Sequence, residues 1–393
     1  MGTRRTRRVA LPLGVGVLVL GVLTLVGTSP AGATDVSNEA DLRAAFDTDA
    51  QVDLLNDITL TDCDAGDLER TAPGPVTVDG HGFTLTQTCL DNHFETGVDF
   101  TLQNITLTGG REFDDGGAID MNGGSLTVID STFIGNCAND SAGAIEAEDD
   151  DVTIISSTFT DNHANDQAGA IRSKRGNILM VNSTVTGNSQ GFAGAVDSGS
   201  GADASLTLVY NTIVENEALA DNQCIDAASP PPAGDIEAEE PATPTSAPSP
   251  ANVNALDGFA AFGNVVALPI GAPNCTVLAP GSQGYNFSDD DSCGFTGTGD
   301  RENAGDPGLG ALADNGGPTQ TRLPLDGSPL IDWIPLTACS GGDALAGFAV
   351  VDDQRNVARP QGAGCEVGSV EIEVLVEEPP AEGPIAAAPA FTG

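Results

Sequence analysis

The chain has 393 residues, of which 57 are Asp or Glu and only 14 are Lys or Arg, giving a formal net charge of −43. Four of the cations (Arg4, Arg5, Arg7, Arg8) crowd the N-terminus, leaving ten to face all of the acids. Such a surface repels phosphate backbones and anionic lipid, which excludes nucleic acid as a partner and polybasic docking to membranes. At 40% hydrophobic residues the chain still has the means to bury a core, which excludes disorder throughout.

Residues 1–33 have the form of a secretory signal peptide: basic residues, an apolar run over 9–26, and small residues for cleavage at Ala31-Gly32-Ala33. An uncleaved N-terminal anchor is the alternative, since the apolar run is long. No later segment is apolar enough to span a bilayer. The expected location is therefore extracellular or at the cell surface, with no transmembrane segment in the mature chain. Export favours disulfides, and the eight cysteines are even in number. Cys63 with Cys89, Cys275 with Cys293, and Cys339 with Cys365 are the expected pairs; Cys137 and Cys224 are left as a pair or as two free thiols. There is no CxxC, so zinc is disfavoured.

After the leader, Asn38 can cap a short helix with Asp41 three positions on, and Leu42, Ala45 and Phe46 give that helix one apolar stripe. Strands are expected at Val52-Asp53-Leu54-Leu55, Val76-Thr77-Val78 and Phe83-Thr84-Leu85. Then a repeat sets in. Gly116-Gly117-Ala118-Ile119, Ala142-Gly143-Ala144-Ile145, Ala168-Gly169-Ala170-Ile171 and Ala193-Gly194-Ala195-Val196 recur at a period of about 26 residues. An apolar-x-x-Asn motif keeps step with them, ending at Asn136, Asn162, Asn188 and Asn216. Between the motifs lie segments of alternating polarity whose apolar members also keep register: Phe100, Leu126, Val152, Ile178 and Leu206 in one column, Leu102, Val128, Ile154, Met180 and Leu208 in the next.

Alternation within each segment means strand. The same column returning once per period means a coil of parallel strands, each turn about 4.8 Å above the last. The expected fold is all-β: a single-stranded right-handed parallel β-helix with an N-terminal capping helix and an irregular C-terminal cap. Handedness follows from the general preference of parallel crossovers. The four asparagines are expected to form a structural ladder at a bend, with glycines serving a corner that needs positive φ. The β-helix with its cap is expected over 34–221, a Pro/Ala/Glu-rich disordered insertion over 222–254, the last turns and the C-terminal cap over 255–376, and a disordered tail over 377–393.

The alternating Gly-Gly-Ala-Ile and Phe-x-x-Asn motifs over about residues 100–216 resemble the repeats of the chlamydial polymorphic outer-membrane protein family. That resemblance implies a β-helical passenger involved in surface adhesion; it does not extend to that family's C-terminal membrane β-barrel. Further on, Leu312-Ala313-Asp314-Asn315-Gly316-Gly317-Pro318-Thr319-Gln320-Thr321, Gly327-Ser328-Pro329, Asp353-Gln354-Arg355, Arg359-Pro360 and Cys365-Glu366-Val367-Gly368 are similar to the choice-of-anchor C-terminal region of bacterial surface β-helix proteins of the pectin-lyase-like fold. Asn356 and Glu366 depart from the Gly and Asp of that pattern.

Where Ile119, Ile145, Ile171 and Val196 point inward, Asp120, Glu146, Arg172 and Asp197 point outward, with Glu148 and Lys174 two positions on. Asp120 and Glu146 on adjacent turns stand about 5 Å apart, near the separation of a retaining glycosidase pair, and Arg172 or Lys174 can serve a lyase as base. The simpler expectation is an exposed charge ladder with surface ion pairs of small energetic value. No cofactor is required; Asp289, Asp290 and Asp291 (like Asp149, Asp150 and Asp151) are candidates for Ca²⁺. His81 is expected in a turn, His93 in a loop and His163 beside the Asn bend. Aromatics make up 4% of the chain, few for a sugar cleft. The expected function is a non-catalytic structural, adhesive or surface-binding module, whose partner is surface polysaccharide or a host or neighbouring cell surface. A polysaccharide lyase or glycoside hydrolase acting on the outward strand face is the alternative.

Overall fold

The structure, a computed structural model, describes residues 32–199, 204–218, 249–341, 343–347 and 349–373. Nearly all of the expected leader, most of the Pro-rich insertion with Cys224, and the expected tail lie outside these residues. In one circuit the chain lays down Ser125–Ile129, Thr132–Ile134, Cys137–Ala138 and Ile145–Ala147, and then Asp151–Ile155 settles in parallel on Ser125–Ile129. Repetition builds four parallel sheets of ten, nine, five and eight strands, called here faces one to four in the order the chain meets them. The molecule is a right-handed parallel β-helix of about eight turns.

Both columns expected for face one are in register from Phe100 to Leu206 and from Leu102 to Leu208, and all are buried. On face two Phe133 lies over Phe159 with ring centroids 4.7 Å apart and planes 8° from parallel. That separation is the strand spacing itself, so identical side chains stack flat on their copies.

Burying the bends requires partners for their polar groups, and the turn above supplies them. Asn136, Asn162 and Asn188 each donate from Nδ2 to Oδ1 of the next asparagine, at 3.0, 2.9 and 2.9 Å. The same Oδ1 atoms accept the backbone N–H of the asparagine one turn below. The ladder continues from Asn216 through Asn252 to Asn274. A second ladder, not anticipated, runs along the bend between faces one and two. Ser131, Ser157 and Ser183 occupy its early rungs and Asn211, Asn264 and Asn286 the later ones; each rung's N–H donates to the side-chain oxygen above it. Before each rung stands a residue with positive φ: Asp130, Ser156, Asn182, Tyr210, Gly263 and Tyr285.

The glycines of the Ala-Gly-Ala-Ile motif divide between two purposes: Gly116 and Gly194 have the positive φ expected of them, whereas in the second and third copies positive φ falls on Ala142 and Ala168, one residue before the glycine. Gly117 and Gly143 are required because a Cβ there would strike the carbonyl oxygen of Gly143 and Gly169, the equivalent positions one turn on. Close approach between turns, and not left-handed backbone, selects these two glycines.

At the N-terminal end the helix Glu39–Thr48 is capped by Asn38, whose side chain accepts from Asp41 N. It buries Leu42, Ala45 and Phe46 over the open end of the coil, with Phe46 against Phe94 and Phe100. Cys63–Cys89 ties neighbouring turns, and Cys275–Cys293 and Cys339–Cys365 form as expected. Cys137 is also disulfide-bonded. The β-helix resumes earlier than expected, since Val253–Ala255, inside the span assigned to the insertion, is a strand of face four paired with Val196 and Asp197. The C-terminal region folds back along face two. There the outward column Thr84, Thr106, Thr132, Thr158, Thr184 and Thr212 is half-buried over its first three members and buried over its last three. Gln354 accepts from Thr184 Oγ1 at 2.7 Å and donates to Thr158 Oγ1 and Ser157 O, while Ser369 N donates to Thr212 Oγ1. Arg359 lies over the Tyr210 ring at 4.1 Å and reaches Asn182.

Removing one rung tests the ladder. Asn162→Ala leaves the N–H of Asn136 without an acceptor and takes the Nδ2 donor from Phe133 O and from Asn188 Oδ1, which keeps only the Asn162 N–H, at about 1–3 kcal/mol for an orphaned buried group. Chemical denaturation should show a loss of about 3 kcal/mol for N162A, against a change within about 0.5 kcal/mol for the exposed Arg111→Ala.

Candidate functional site

Face four carries the outward column that the sequence singles out. Its register is Glu69, Glu95, Asp120, Glu146, Arg172, Asp197, Asn254 and Thr276, one residue per turn. Asp120 and Glu146 therefore do lie side by side, and Arg172 does lie between Glu146 and Asp197. The expectation that fails is exposure. Glu69 is exposed, and Glu95 and Asp120 are half-buried, but Glu146, Arg172 and Asp197 retain 0%, 7% and 1% of their surface. The cause is the connection from face three to face four, which crosses beside the column on each turn. Asp115 Oδ1 accepts from Ser141 N, and Ser141 Oγ accepts from Arg172 Nη1 at 2.7 Å, so the connections of successive turns bind each other and cover the charges.

Inside this cover the column is held by ion pairs. Arg172 pairs with Glu146 Oε1 at 3.5 Å and with Asp197 Oδ2 at 3.3 Å. Asp197 Oδ1 also accepts from Gly199 N at 2.9 Å and from Asn254 Nδ2 at 2.7 Å. Neither oxygen of Glu146 receives a hydrogen bond. Burial raises the Glu146 carboxyl well above the usual range, Arg172 offsetting this only in part and Asp115 and Asp120 adding to it. Burial, reinforced by Asp115 and Glu95, pushes Asp120 up to about 8. Carboxyls kept protonated at neutral pH are a feature of general acids, but Glu146 has no surface with which to touch a substrate. Lys174, on the next outward column, pairs with Glu148 at 3.3 Å.

Two further acidic groups stand elsewhere on the coil, the Ca²⁺ candidates Asp289–Asp291 and a trio on the connections. Asp289 accepts from Leu268 N and Asn274 Nδ2, and Asp290 accepts from Asn274 N, Ser292 N and Ser292 Oγ. These carboxylates finish the last rung of the Asn ladder; Asp291 beside them is exposed. Although burial raises Asp290, its hydrogen bonds from Ser292 and Asn274 bring it below the ordinary value. The oxygens that do converge belong to Asp114, Asp115 and Asp140, whose ligand atoms all lie within 4.8 Å of one another. Asp114 and Asp140 stand one 26-residue period apart, and that periodicity was the available signal.

The histidines hold structural positions. His81 has φ 49° in its turn and lies between Asp53 and Asp79, on the rim of a hollow of about 350 Å³ lined by Asn104, Thr106, Asp130 and Thr132. His93 is fully buried, with Nε2 3.1 Å from Thr108 O, and burial lowers it to about 4. His163 bonds to Ser189 and Asn165 beside the Asn ladder. Among the described residues no helix is long and apolar enough to cross a membrane. Comparison with family models, with curated proteins and with solved structures finds no match to this chain.

Two outcomes follow from the buried column. Arg172→Met strands Glu146 and Asp197 without their cation and should cost about 3–5 kcal/mol in denaturant titration, whereas Arg175→Ala, on a half-exposed side chain, should cost about 1 kcal/mol or less. The second concerns pH. Asp120 keeps its proton up to about pH 8 when folded, whereas an ordinary aspartate releases it near 3.8. Its stabilising contribution is therefore complete below about pH 4 and is lost as pH rises to about 8. Asp67, raised to about 7, and Glu366, raised to about 8, act with the same sign. The denaturation midpoint should fall between about pH 5 and pH 8, and Asp120→Asn should remove part of that slope; a midpoint rising over this window would contradict the assignment.

Proposed function

We propose that the protein is an exported, non-catalytic β-helix that works as a rigid structural, adhesive or surface-binding module. The observation that carries this reading is the enclosure of Glu146, Arg172 and Asp197. A hydrolase or lyase needs its acid, base and charge-stabilising groups within hydrogen-bond reach of the substrate. Here the group that would complete the carboxyl pair has no exposed surface and the cation is divided between two buried acids. The column therefore serves cohesion between turns.

Export is supported by the basic-apolar-small pattern of residues 1–33 and by three disulfides, bonds that persist in oxidising surroundings. The resemblance of the repeats to adhesive passengers, and of the C-terminal segments to choice-of-anchor regions, points to display at a cell surface. A uniform parallel coil suits that role, because each turn contacts only its neighbours and the whole behaves as a short rod. Its partner on this reading is surface polysaccharide or another cell's surface. Purified protein incubated with a panel of neutral and uronic-acid glycans should release no reducing ends or unsaturated products, and cell fractionation should place it in the medium or envelope. Depolymerisation that Glu146→Gln abolishes would overturn the proposal.

A further inference from the structure

The outer surface of face two already receives two guanidinium groups from this chain. Arg322 donates from Nη1 to Thr186 Oγ1 at 3.4 Å and pairs with Glu215 at 2.8 Å. Arg359 donates from Nη2 to Asn182 Oδ1 at 3.3 Å, lies over the Tyr210 ring and pairs with Glu371. Each seat combines a side-chain oxygen of face two, or of the bend before it, with a carboxylate. Such a set of acceptors suits arginine, whose planar group carries five donors and no acceptor.

The same combination recurs at the edge of the C-terminal cover. Thr319 donates to Ser156 O, and Pro318 before it walls the hollow of about 350 Å³ on the earlier turns. Within that hollow Asn104 and Asp130 hold the positive-φ bend positions that Asn182 and Tyr210 hold on later turns. Thr106 and Thr132 are adjacent members of the outward threonine column. All four are half-buried. Asn104 donates from Nδ2 to Asp79 Oδ1 at 3.3 Å, which leaves its Oδ1 as an acceptor. Asp130 supplies the carboxylate, and burial alone raises it to about 6, with no neighbouring charge contributing. Among the described residues the lining holds no Lys or Arg, and His81 at the rim is balanced by Asp53 and Asp79 at 3.5 and 3.7 Å. Ile105 and Pro318 supply apolar lining for an aliphatic stem. The volume stands at the low end of the roughly 300–1,000 Å³ of small-molecule pockets, room for one long side chain.

We propose that this hollow binds an arginine side chain of a partner protein, its guanidinium paired with Asp130 and donating to the side-chain oxygens of Asn104, Thr106 and Thr132, its stem resting on Pro318. The seats of Arg322 and Arg359 are the chain's own precedents. A net charge of −43 draws a basic surface toward the site. Because the lining offers mainly acceptors, it favours a ligand made of donors over a neutral sugar, whose hydroxyls need both. The proposal is independent of the non-catalytic reading, which rests on the buried column of face four and not on this hollow.

The full folded protein is titrated by calorimetry at pH 8, where Asp130 is ionised, with acetyl-Gly-Arg-Gly-amide, its lysine and citrulline counterparts, agmatine and maltose. The arginine peptide should bind saturably, and the citrulline peptide, which keeps the shape without the charge, at least about tenfold more weakly, the worth of one charge-assisted hydrogen bond. The lysine peptide, a point charge without the planar fork, should also bind more weakly. Asp130→Asn should cost about tenfold in affinity for the arginine peptide, whereas Asp64→Asn, which removes the same charge from an exposed loop, should leave it unchanged and so separates the site from general attraction to an acidic chain. Thr132→Val should weaken binding several-fold through the lost hydroxyl. Asparagine accepts the positive φ at position 130, and unchanged circular dichroism verifies that the variants fold. No saturable binding of the arginine peptide, equal binding of the lysine or citrulline peptide, uptake of agmatine with exclusion of the peptide, maltose binding that D130N weakens, or an unaffected D130N would overturn the assignment.

Discussion

The structure depends on the vertical register of its turns, by which a buried polar group at each bend meets its own equivalent one strand spacing away. A parallel coil must take the chain round several tight bends on every turn, and each bend buries N–H and C=O groups that the sheets do not pair. The two side-chain ladders supply the missing partners, and they do so only if the turns are stacked in phase. Asn162 cannot accept from Asn136 while donating to Asn188 unless all three project from the same place on successive circuits. The flat Phe133–Phe159 stack and the close approach of Gly117 to Gly143 depend on the same phase. A slip of one residue would turn every inward side chain outward and break both ladders together.

The electrostatics follow from this frame. A chain with a net charge of −43 carries few cations in its folded part, and most of those described are committed to backbone carbonyls or to the buried column of face four. Like acids brought into vertical register repel one another, as Asp115, Asp120 and Glu146 do. Burial leaves some of them protonated, so the fold stores a dependence on pH that an exposed ladder would lack.

Much of this was legible in the sequence, and the exceptions have physical reasons. The period, the inward columns, Asn136 through Asn216, the capping helix with Phe46 and the three cysteine pairs follow from spacing and polarity alone, since identical residues recur at identical intervals. The second ladder was hidden because its rungs change from Ser183 to Asn211 midway and the interval lengthens across the insertion. The burial of Glu146 and Arg172 was illegible because their cover comes from Ser141 and Asp115, connection residues that follow no strand pattern. The task of Gly143 and Gly169 was illegible for a related reason: alanine accepts the left-handed backbone at 142 and 168, and only the packed turns reveal that the next position has no room for a methyl group. The folding back of Gln354 and Ser369 onto Thr158, Thr184 and Thr212 joins residues more than 150 positions apart, beyond the reach of any local pattern.

The most direct test of the stacking is a distance between spin labels on face one, introduced through an unnatural ketone side chain so that the native disulfides stay intact. Thr101 and Thr207 occupy the same outward column, four strand steps apart through Thr127, Thr153 and Leu179. Pulsed dipolar spectroscopy should give one narrow distribution centred at about 19 Å, allowing for the label arms, with the Thr127–Thr207 pair shorter by one step of about 4.8 Å. A broad distribution, or separations that do not change by one strand spacing per turn, would contradict the in-phase coil on which the account rests.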